Sequence, residues 1–202
     1  MAPHSRRTCL AQGQLTDDGR LALYIVLATI PVVVFGFVLK KFGYTDLDRN
    51  VAIVAWNTIL YGILMMIADM VGKRERTIAD VTLGSALVIG VAQALALIPG
   101  TSRSGVTMTA ARFLGFTRPD SARFSFLLGI PATAGAIVFT VGDAMAGGQK
   151  LTMDVLLCAA LTFVAGILAI AFLMNLLRRI SFLPFVLYRM VLGGFLLVML
   201  YG

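Results

Sequence analysis

Long uncharged apolar runs alternate with short polar segments along the chain. Five runs are long enough to cross a bilayer as helices, because a helix rises about 1.5 Å per residue and the hydrocarbon core is about 30 Å thick. Pro31 and Pro131 lie inside two of these runs and predict kinks there. The pattern predicts an all-α integral membrane protein, with a polar head over 1–20 and a membrane domain over 21–202. The predicted spans are 21–39, 51–71, 124–141, 155–177 and 182–200.

One further apolar region does not have the form of a spanning helix. Val81–Ile98 is uncharged but leads directly into the polar segment Pro99–Gly105, and Val106–Phe116 is too short to span. Proline and glycine end helices, and non-helical backbone at membrane depth must be covered by protein or line a wet cavity. Residues 81–116 are therefore predicted to form a re-entrant helix-loop-helix hairpin.

The composition excludes a water-soluble globule. Of the 202 residues, 59 % are apolar and 13 % are charged, and the mean hydropathy is +0.91. Soluble domains contain about 45–50 % apolar and about 25 % charged residues. Cys9 and Cys158 predict no disulfide framework, and His4 is the only histidine. The net charge of +7 is typical of positive cytoplasmic loops, so no nucleic-acid partner is expected.

The positions of the cations predict the topology. If 81–116 enters and leaves on one face, that face carries eleven Lys and Arg and the opposite face four, whereas a sixth span would give seven and eight. The positive-inside rule favours a hairpin entered from the cytoplasm and an extracytoplasmic C-terminus. The eleven are Arg6, Arg7, Arg20, Lys73, Arg74, Arg76, Arg112, Arg118, Arg123, Arg178 and Arg179; the four are Lys40, Lys41, Arg49 and Lys150.

The tip of the hairpin carries the candidate chemistry. Arg103 supplies a planar fork of donors suited to phosphate, and Gly100 and Gly105 allow close approach of the backbone. A helix starting near Ser104 would add its N-terminal N–H groups, so the segment predicts an anion site for a phosphoryl group. The alternative is a polar turn at the membrane surface, with Arg103 solvated by headgroups. Hydroxyl groups come from Thr101, Ser102, Ser104 and Thr107.

Three segments resemble the bacterial undecaprenyl-diphosphatase family, which is also the bacitracin-resistance family. The first is Gln93-Ala-Leu-Ala-Leu-Ile-Pro-Gly-Thr-Ser-Arg-Ser-Gly-Val-Thr107, and the second is Ala122-Arg-Phe-Ser-Phe-Leu-Leu-Gly-Ile-Pro131. The third is Ile180-Ser-Phe-Leu-Pro-Phe-Val-Leu-Tyr-Arg189, which is similar to the closing helix of that family. The resemblance extends from about Leu21 to the end of the chain.

The resemblance implies a multi-pass enzyme of the bacterial inner membrane with an inverted-repeat architecture. It implies cleavage of undecaprenyl diphosphate to the monophosphate and inorganic phosphate, which recycles the carrier for cell-wall precursors. Arg103, Ser102 and Ser104 are then the expected catalytic residues, with Arg103 holding the diphosphate. The expected phosphate contacts are Gly100, Thr101, Gly105, Thr107 and Gln93. The implied partners are a polyprenyl diphosphate, membrane lipids and a second copy in a homodimer.

The chain departs from the family in its acidic residues and histidines. The family carries a glutamate-rich stretch and a Ser-Ser-Thr-Gly-His segment and uses a divalent cation, magnesium or calcium. Here Glu75 and His4 are the only residues of their types, so no metal ligands are expected in this chain. Asp17 and Asp18 are expected in a surface loop. We therefore expect an incomplete chain with weak activity alone, in which 1–20 is a remnant loop.

Two further interpretations follow from the residues outside the tip. Asp69 and Asp143 lie near span ends, where solvation at the membrane interface is expected, and Tyr188 and Arg189 are expected to pack inside the protein. Broken helices suit transport as well as catalysis. The alternative function is therefore a non-enzymatic lipid-phosphate binder or a transporter half that uses the same anion site.

Overall fold

The computed structural model describes residues 16–42, 50–147 and 152–202. His4, Cys9 and the predicted loop cations Arg6, Arg7, Arg49 and Lys150 lie outside the described residues. The described chain is all helical, with short 3₁₀ turns at Ile78–Asp80 and Leu95–Leu97. The helices are α1 (Asp17–Lys41), α2 (Val51–Val71), α3 (Leu83–Ala94), α4 (Arg103–Phe113), α5 (Arg118–Ala146), α6 (Met153–Leu177) and α7 (Leu183–Tyr201).

Five of these helices, namely α1, α2, α5, α6 and α7, are long and apolar enough to cross a membrane, which confirms the five predicted spans. The structure moves several boundaries. Helix α1 begins four residues earlier than predicted, because the Thr16 hydroxyl accepts a hydrogen bond from the Gly19 N–H at 3.2 Å. Asp17 and Asp18 therefore lie in the first turn of α1, where carboxylates complement the helix dipole, and the predicted surface loop is wrong there.

Helix α5 is eleven residues longer than the eighteen-residue span predicted for it, since it has 29 residues. Thr117 caps it through its side chain, and Pro119 stands in its first turn, where a proline needs no N–H partner. Both α1 and α5 continue as helices past their internal prolines, Pro31 and Pro131.

The segment between α2 and α5 returns to the place where it starts. The Arg76 N–H donates to the Gly115 carbonyl at 3.1 Å, and the Thr117 N–H donates to the Arg76 carbonyl at 2.9 Å. The Arg76 guanidinium also lies over the Phe116 ring, 4.6 Å from its centroid. Helices α3 and α4 thus form a helix-loop-helix hairpin with a closed base. Entry of this hairpin into a membrane from one face stays a prediction, as does an inverted repeat.

Helix α4 lies in the middle of the molecule although it is the shortest of the seven described helices. Its residues contribute to two apolar clusters, one through Ala111 and the other through Met108. The first cluster joins α4 to α1, α3 and α5, and the second joins it to α2, α5 and the α6–α7 region. Helix α4 is therefore covered by the other helices, whereas Leu87, Val88 and Val91 on the outer face of α3 remain exposed.

Small residues bring the surrounding helices into close contact. A Cβ on Gly90 of α3 would collide with the backbone of Ala28 in α1, and one on Gly193 of α7 would lie 2.5 Å from an Ile59 side-chain carbon in α2. Helix α6 is different, since Leu177 is its only buried residue. Its large apolar side chains face outward, and the smaller Cys158 is exposed as well. Such a surface matches the hydrocarbon of a bilayer.

An ion-pair cluster holds the base of the hairpin. Asp69 is buried and accepts hydrogen bonds from Arg118 Nε at 2.6 Å and Arg118 Nη2 at 2.7 Å. The Arg112 side chain is fully buried, with its Nε 3.4 Å from Asp69 and its remaining nitrogens on backbone carbonyls. Solvation of Asp69 at the interface is therefore wrong, because two arginines pair with it inside the protein.

Candidate functional site at the hairpin tip

Side chains from two spanning helices hold the loop at the tip of the hairpin. From α2, Asn57 Nδ2 donates to the Pro99 carbonyl at 3.0 Å, and the Thr58 hydroxyl donates to the Gly100 carbonyl at 3.3 Å. From α7, Arg189 Nη2 donates to the carbonyls of Gly100 at 2.8 Å and Thr101 at 3.1 Å. The loop carbonyls thus have partners inside the protein, as buried polar backbone requires.

Two residues of the loop, Gly100 and Ser102, have a positive φ. Gly100 has φ +84°, and a Cβ there would collide with the backbone of Val54 in α2. The glycine therefore allows the loop backbone to approach α2 closely. Ser102 has φ +65°, which costs a non-glycine residue of order 1 kcal/mol or more. Its side chain caps α4, because its Oγ accepts from the Gly105 N–H at 3.3 Å. Such strain is concentrated at functional sites.

Arg103 points from the start of α4 toward α3 and α5. Its Nε donates to Gln93 Oε1 at 3.0 Å and its Nη1 donates to the Thr133 hydroxyl at 2.9 Å. Its Nη2 is buried without an acceptor among the described residues, and so is the amide Nε2 of Gln93. A Cβ on Gly129 of α5 would lie 2.8 Å from that Nη2, so the glycine leaves room for the guanidinium. Two unsatisfied donors therefore lie on one side of the tip.

A cavity of about 190 Å³ opens on the other side of the tip. Ser102, Ser104, Gly105, Tyr188 and Arg189 form its polar part, so the N-terminus of α4 faces into it. Hydrocarbon side chains form the remainder, and they come from α2, α4, α6 and α7 with the turn before α7. These are Met65, Met108, Leu173, Leu177, Phe182 and Phe185.

The predicted site residues lie close together at the tip, but their side chains point in two directions. Ser102, Ser104 and Gly105 reach the cavity, whereas Arg103 and Gln93 bind each other on the opposite side. Two hydroxyl groups are turned inward. Thr107 is buried and its Oγ1 lies 2.6 Å from Ser125 Oγ. Thr101 is fully buried, and its Oγ1 has no hydrogen-bond partner among the residues that the structure describes.

The sequence did not predict that Arg189 belongs to this site. Internal packing was expected, and its Nε indeed donates to the Thr58 carbonyl at 3.1 Å, but its side chain also lines the cavity beside Ser102 and Ser104. The available signal was an arginine within an otherwise uncharged span, which is costly in a membrane without a functional or structural partner. Tyr188, its neighbour, lines the same cavity from an exposed position.

The residues at the tip do not fit a divalent cation. Such a cation prefers several oxygen ligands, above all carboxylates, whereas the charged groups here are the two guanidinium groups of Arg103 and Arg189. In the described ranges no group of three His, Cys, Asp or Glu side chains lies close enough together to hold a metal ion. We therefore derive no step through a cation.

Fold and site together define a class: a multi-pass membrane protein with an arginine- and serine-rich hairpin tip suited to a phosphoryl group. Comparison with known proteins narrows this class. The family model for bacitracin resistance protein BacA matches residues 4–195, and the chain belongs to that family.

Curated relatives agree over nearly the whole chain. A protein of Erythrobacter litoralis named undecaprenyl-diphosphatase is 48 % identical over 198 residues, covering 90 % of this chain and 70 % of the relative. Proteins of the same name from Roseobacter denitrificans and a Jannaschia species are 42 % and 41 % identical. They cover 96 % and 93 % of this chain, and 73 % and 70 % of their own lengths.

Proposed function

We propose that this protein hydrolyses undecaprenyl diphosphate to undecaprenyl phosphate and inorganic phosphate, which recycles the lipid carrier for cell-wall synthesis. It is a membrane-bound hydrolase acting on a diphosphate anhydride. Support comes from family membership and from identities of 41–48 % to relatives named for this activity. The structural observation that carries the proposal is the start of α4, where Ser102, Ser104 and Arg189 open onto a cavity with an apolar wall.

The polar part of the site suits a diphosphate because positive charge and free donors converge there. The N-terminus of α4 presents backbone N–H groups and the positive end of the helix dipole. Arg189 Nη1 and the Ser104 hydroxyl bind no acceptor among the described residues, so both can donate to phosphate oxygens. Arg103 is the first residue of the same helix, but its unsatisfied nitrogen lies on the other side of the tip, beside Gly129.

Positive charge of this kind does more than bind the substrate. Hydrolysis of the anhydride breaks a bond between phosphorus and the bridging oxygen, and negative charge grows on the leaving phosphate. Preorganised donors that meet this charge lower the barrier, and they usually contribute the largest part of catalysis in phosphoryl transfer. We assign this role to Ser102 and Ser104, which line the cavity, and to Arg103, which the family resemblance implies and whose guanidinium would have to turn from Gln93 toward the cavity. Gly100, Thr101, Gly105, Thr107 and Gln93 shape and hold the phosphate-binding loop.

The apolar wall of the cavity suits the polyprenyl tail. Methionine, leucine and phenylalanine side chains from α2, α4, α6 and α7 form this wall, which passes from the buried Met65 and Leu177 to the half-buried Leu173 and Phe185. A lipid could therefore place its diphosphate at the tip and its first isoprene units against this wall.

Cofactor, location and assembly are also proposals. A divalent cation is proposed from the family resemblance alone. We propose the bacterial inner membrane, with the hairpin base on the cytoplasmic side and the C-terminus outside. This is supported by Arg76, Arg112 and Arg118, which meet at the base. A homodimer is proposed as well, for which the outward apolar surface of α6 is available.

The test is phosphate release from undecaprenyl diphosphate by the purified chain in detergent with magnesium or calcium present. We expect release that Arg103→Ala lowers by about 10²–10³, the usual cost of losing one donor to a developing oxyanion. Arg179→Ala is the matched control, because Arg179 is an exposed arginine at the turn before α7. It should release phosphate at the wild-type rate.

Substrate binding must be measured in the same samples. Bound undecaprenyl diphosphate without release above the Arg103→Ala background would contradict the enzyme and support the lipid-phosphate binder or transporter half. A slow but Arg103-dependent release agrees with the weak activity expected for this chain alone.

A further inference from the structure

A second cavity, of about 240 Å³, lies at the base of the hairpin. Asp69, Arg74, Arg118 and Ser181 form its polar wall. Its other wall is apolar and comes from α2 and the start of α7. That wall consists of Met66, Met70, Phe182, Leu183 and Val186.

Positive charge exceeds negative charge around this cavity. Among the described residues, Asp69 is the only carboxylate in its wall, and it already pairs with Arg118 and Arg112 and accepts from the Phe182 N–H at 3.4 Å. Arg74 is exposed and forms no hydrogen bond or ion pair within the described ranges. Glu75 follows it in the chain but does not line the cavity. The wall therefore retains a guanidinium without an anion.

The apolar wall continues onto the outer surface of two helices that can span a membrane. Met70 is 76 % exposed and Leu183 is 50 % exposed, and both lie at the ends of α2 and α7 where the cavity opens. Such a surface meets lipid chains, whereas Arg74 and Ser181 lie in the polar connections just beyond the helices. The cavity thus joins a cationic polar end to a lipid-facing apolar side.

This cavity is separate from the hairpin tip. Arg103 and Arg112 mark the two ends of α4, and nine residues of helix rise place them about 14 Å apart. The charged wall of the second cavity contacts Arg112 through Asp69, whereas Ser102 and Ser104 line the first. Phe182 lines both cavities, but no residue of the phosphate-binding loop lines the second, so a ligand at the base does not occupy that loop.

We propose that the base cavity binds an anionic phospholipid, with the headgroup phosphate at Arg74 and Ser181 and an acyl chain along Met66, Met70 and Leu183. Basic pockets between spanning helices on the cytoplasmic side are a recurring form of recognition for anionic lipid headgroups. The bound lipid neutralises the guanidinium that Asp69 leaves unpaired, and it fixes the ends of α2 and α7 against each other.

Lipid binding to the purified protein, followed by native mass spectrometry, tests this proposal. The probes are dioleoyl phosphatidylglycerol, dioleoyl phosphatidylcholine and glycerol 3-phosphate. We expect the phosphatidylglycerol to bind more tightly than the phosphatidylcholine, and Arg74→Ala to weaken it about fivefold, the effect of one cation near an anionic lipid. Lys73→Ala is the matched control, since its side chain is exposed but lines no part of the cavity, and it should change the affinity less than twofold.

Each other outcome overturns the proposal. Equal losses in Arg74→Ala and Lys73→Ala would mean general attraction to a basic loop. No loss in Arg74→Ala, or equal binding of both phospholipids, would remove the headgroup contact. Competition by glycerol 3-phosphate at the affinity of the lipid would identify a free phosphate ester as the ligand and exclude a role for the acyl chain.

Discussion

Both ends of the hairpin contain arginines, but only the arginines at the base pair with a carboxylate among the described residues. At the base, Arg118 and Arg112 share the carboxylate of Asp69, and the nitrogens of Arg112 that do not face it donate to backbone carbonyls. At the tip, Arg103 and Arg189 form no ion pair in the part of the chain that the structure describes, and they use neutral acceptors only.

This difference separates a structural cluster from a binding site. Removing one partner of a buried ion pair strongly destabilises the fold, because the remaining charge stays buried without compensation. A half-buried guanidinium without a carboxylate partner is costly, and an anionic ligand recovers that cost. The paired arginines at the base therefore hold the hairpin in place, and the proposed diphosphate site uses the arginines at the tip.

The largest expected effect is the loss of Asp69. Asp69→Ala leaves the fully buried Arg112 and the half-buried Arg118 without their carboxylate, so we expect a loss of about 3–5 kcal/mol in unfolding free energy. For a chain of this size that lowers the melting temperature by about 10 °C. Thermal unfolding in detergent measures it.

Arg103→Met is the matched variant for the opposite end. It removes an arginine that has no carboxylate partner, so the loss of its hydrogen bonds to Gln93 and Thr133 is offset by relief of an unpaired charge. We expect a stability change within about 1 kcal/mol. If Arg103→Met destabilised the protein as much as Asp69→Ala, the contrast between the two ends would be wrong.

An intermediate effect is expected at Arg189. Arg189→Lys keeps the positive charge but loses the planar fork that joins the carbonyls of Thr58, Gly100 and Thr101. Hydrogen bonds from a charged donor contribute about 1.5–3 kcal/mol, so phosphate release should fall about ten- to hundredfold. Steady-state kinetics on undecaprenyl diphosphate measures this loss, with Arg179→Lys as the exposed control. Unchanged kinetics in Arg189→Lys would show that charge alone is sufficient at the tip.

The smallest effect is expected at the entrance to the hairpin. The Thr77 N–H and hydroxyl donate to the Asp80 carboxylate at 2.7 and 2.9 Å and hold the pKa of that carboxyl below its usual value. Because the folded pKa is lowered, the stabilisation is present above the ordinary carboxyl pKa and is lost as pH falls through the lowered one. Asp80→Asn should therefore slightly lower the melting temperature at pH 7 and have no effect at a pH below both values. A difference that persisted in acid would assign the effect to packing.

Much of this architecture can be predicted from hydropathy and from turn chemistry. The five spans are visible because each is a long apolar run, and α2 begins and ends at the predicted residues, Val51 and Val71. The hairpin can be predicted because Pro99 and Gly100 end one apolar segment and 106–116 is too short to span, whereas the cap by Ser102 is seen only in the structure. The Pro-Gly-Thr-Ser-Arg-Ser-Gly segment carries the family resemblance, which the family match over residues 4–195 confirms.

Side-chain direction could not be predicted in this way. Arg103 and Ser104 are neighbours at the start of α4, yet one faces α5 and the other faces the cavity, because adjacent helix positions point about 100° apart. Asp69 and Arg118 are 49 residues apart, and nothing in their local sequence distinguishes a solvated carboxylate from a buried partner.

The sequence by itself determined that this chain is a membrane protein with a helix-loop-helix hairpin between its spans, since those properties follow from local composition and from glycine and proline at fixed positions. It also predicts a phosphate site at the tip of that hairpin. Tertiary structure alone decided which arginines are paired. It placed Arg189 of the last helix beside a loop almost ninety residues earlier and Asp69 beside two arginines of the hairpin region. Long-range packing sets these distances, and with them the difference between a charge that stabilises the fold and one that remains available to a ligand.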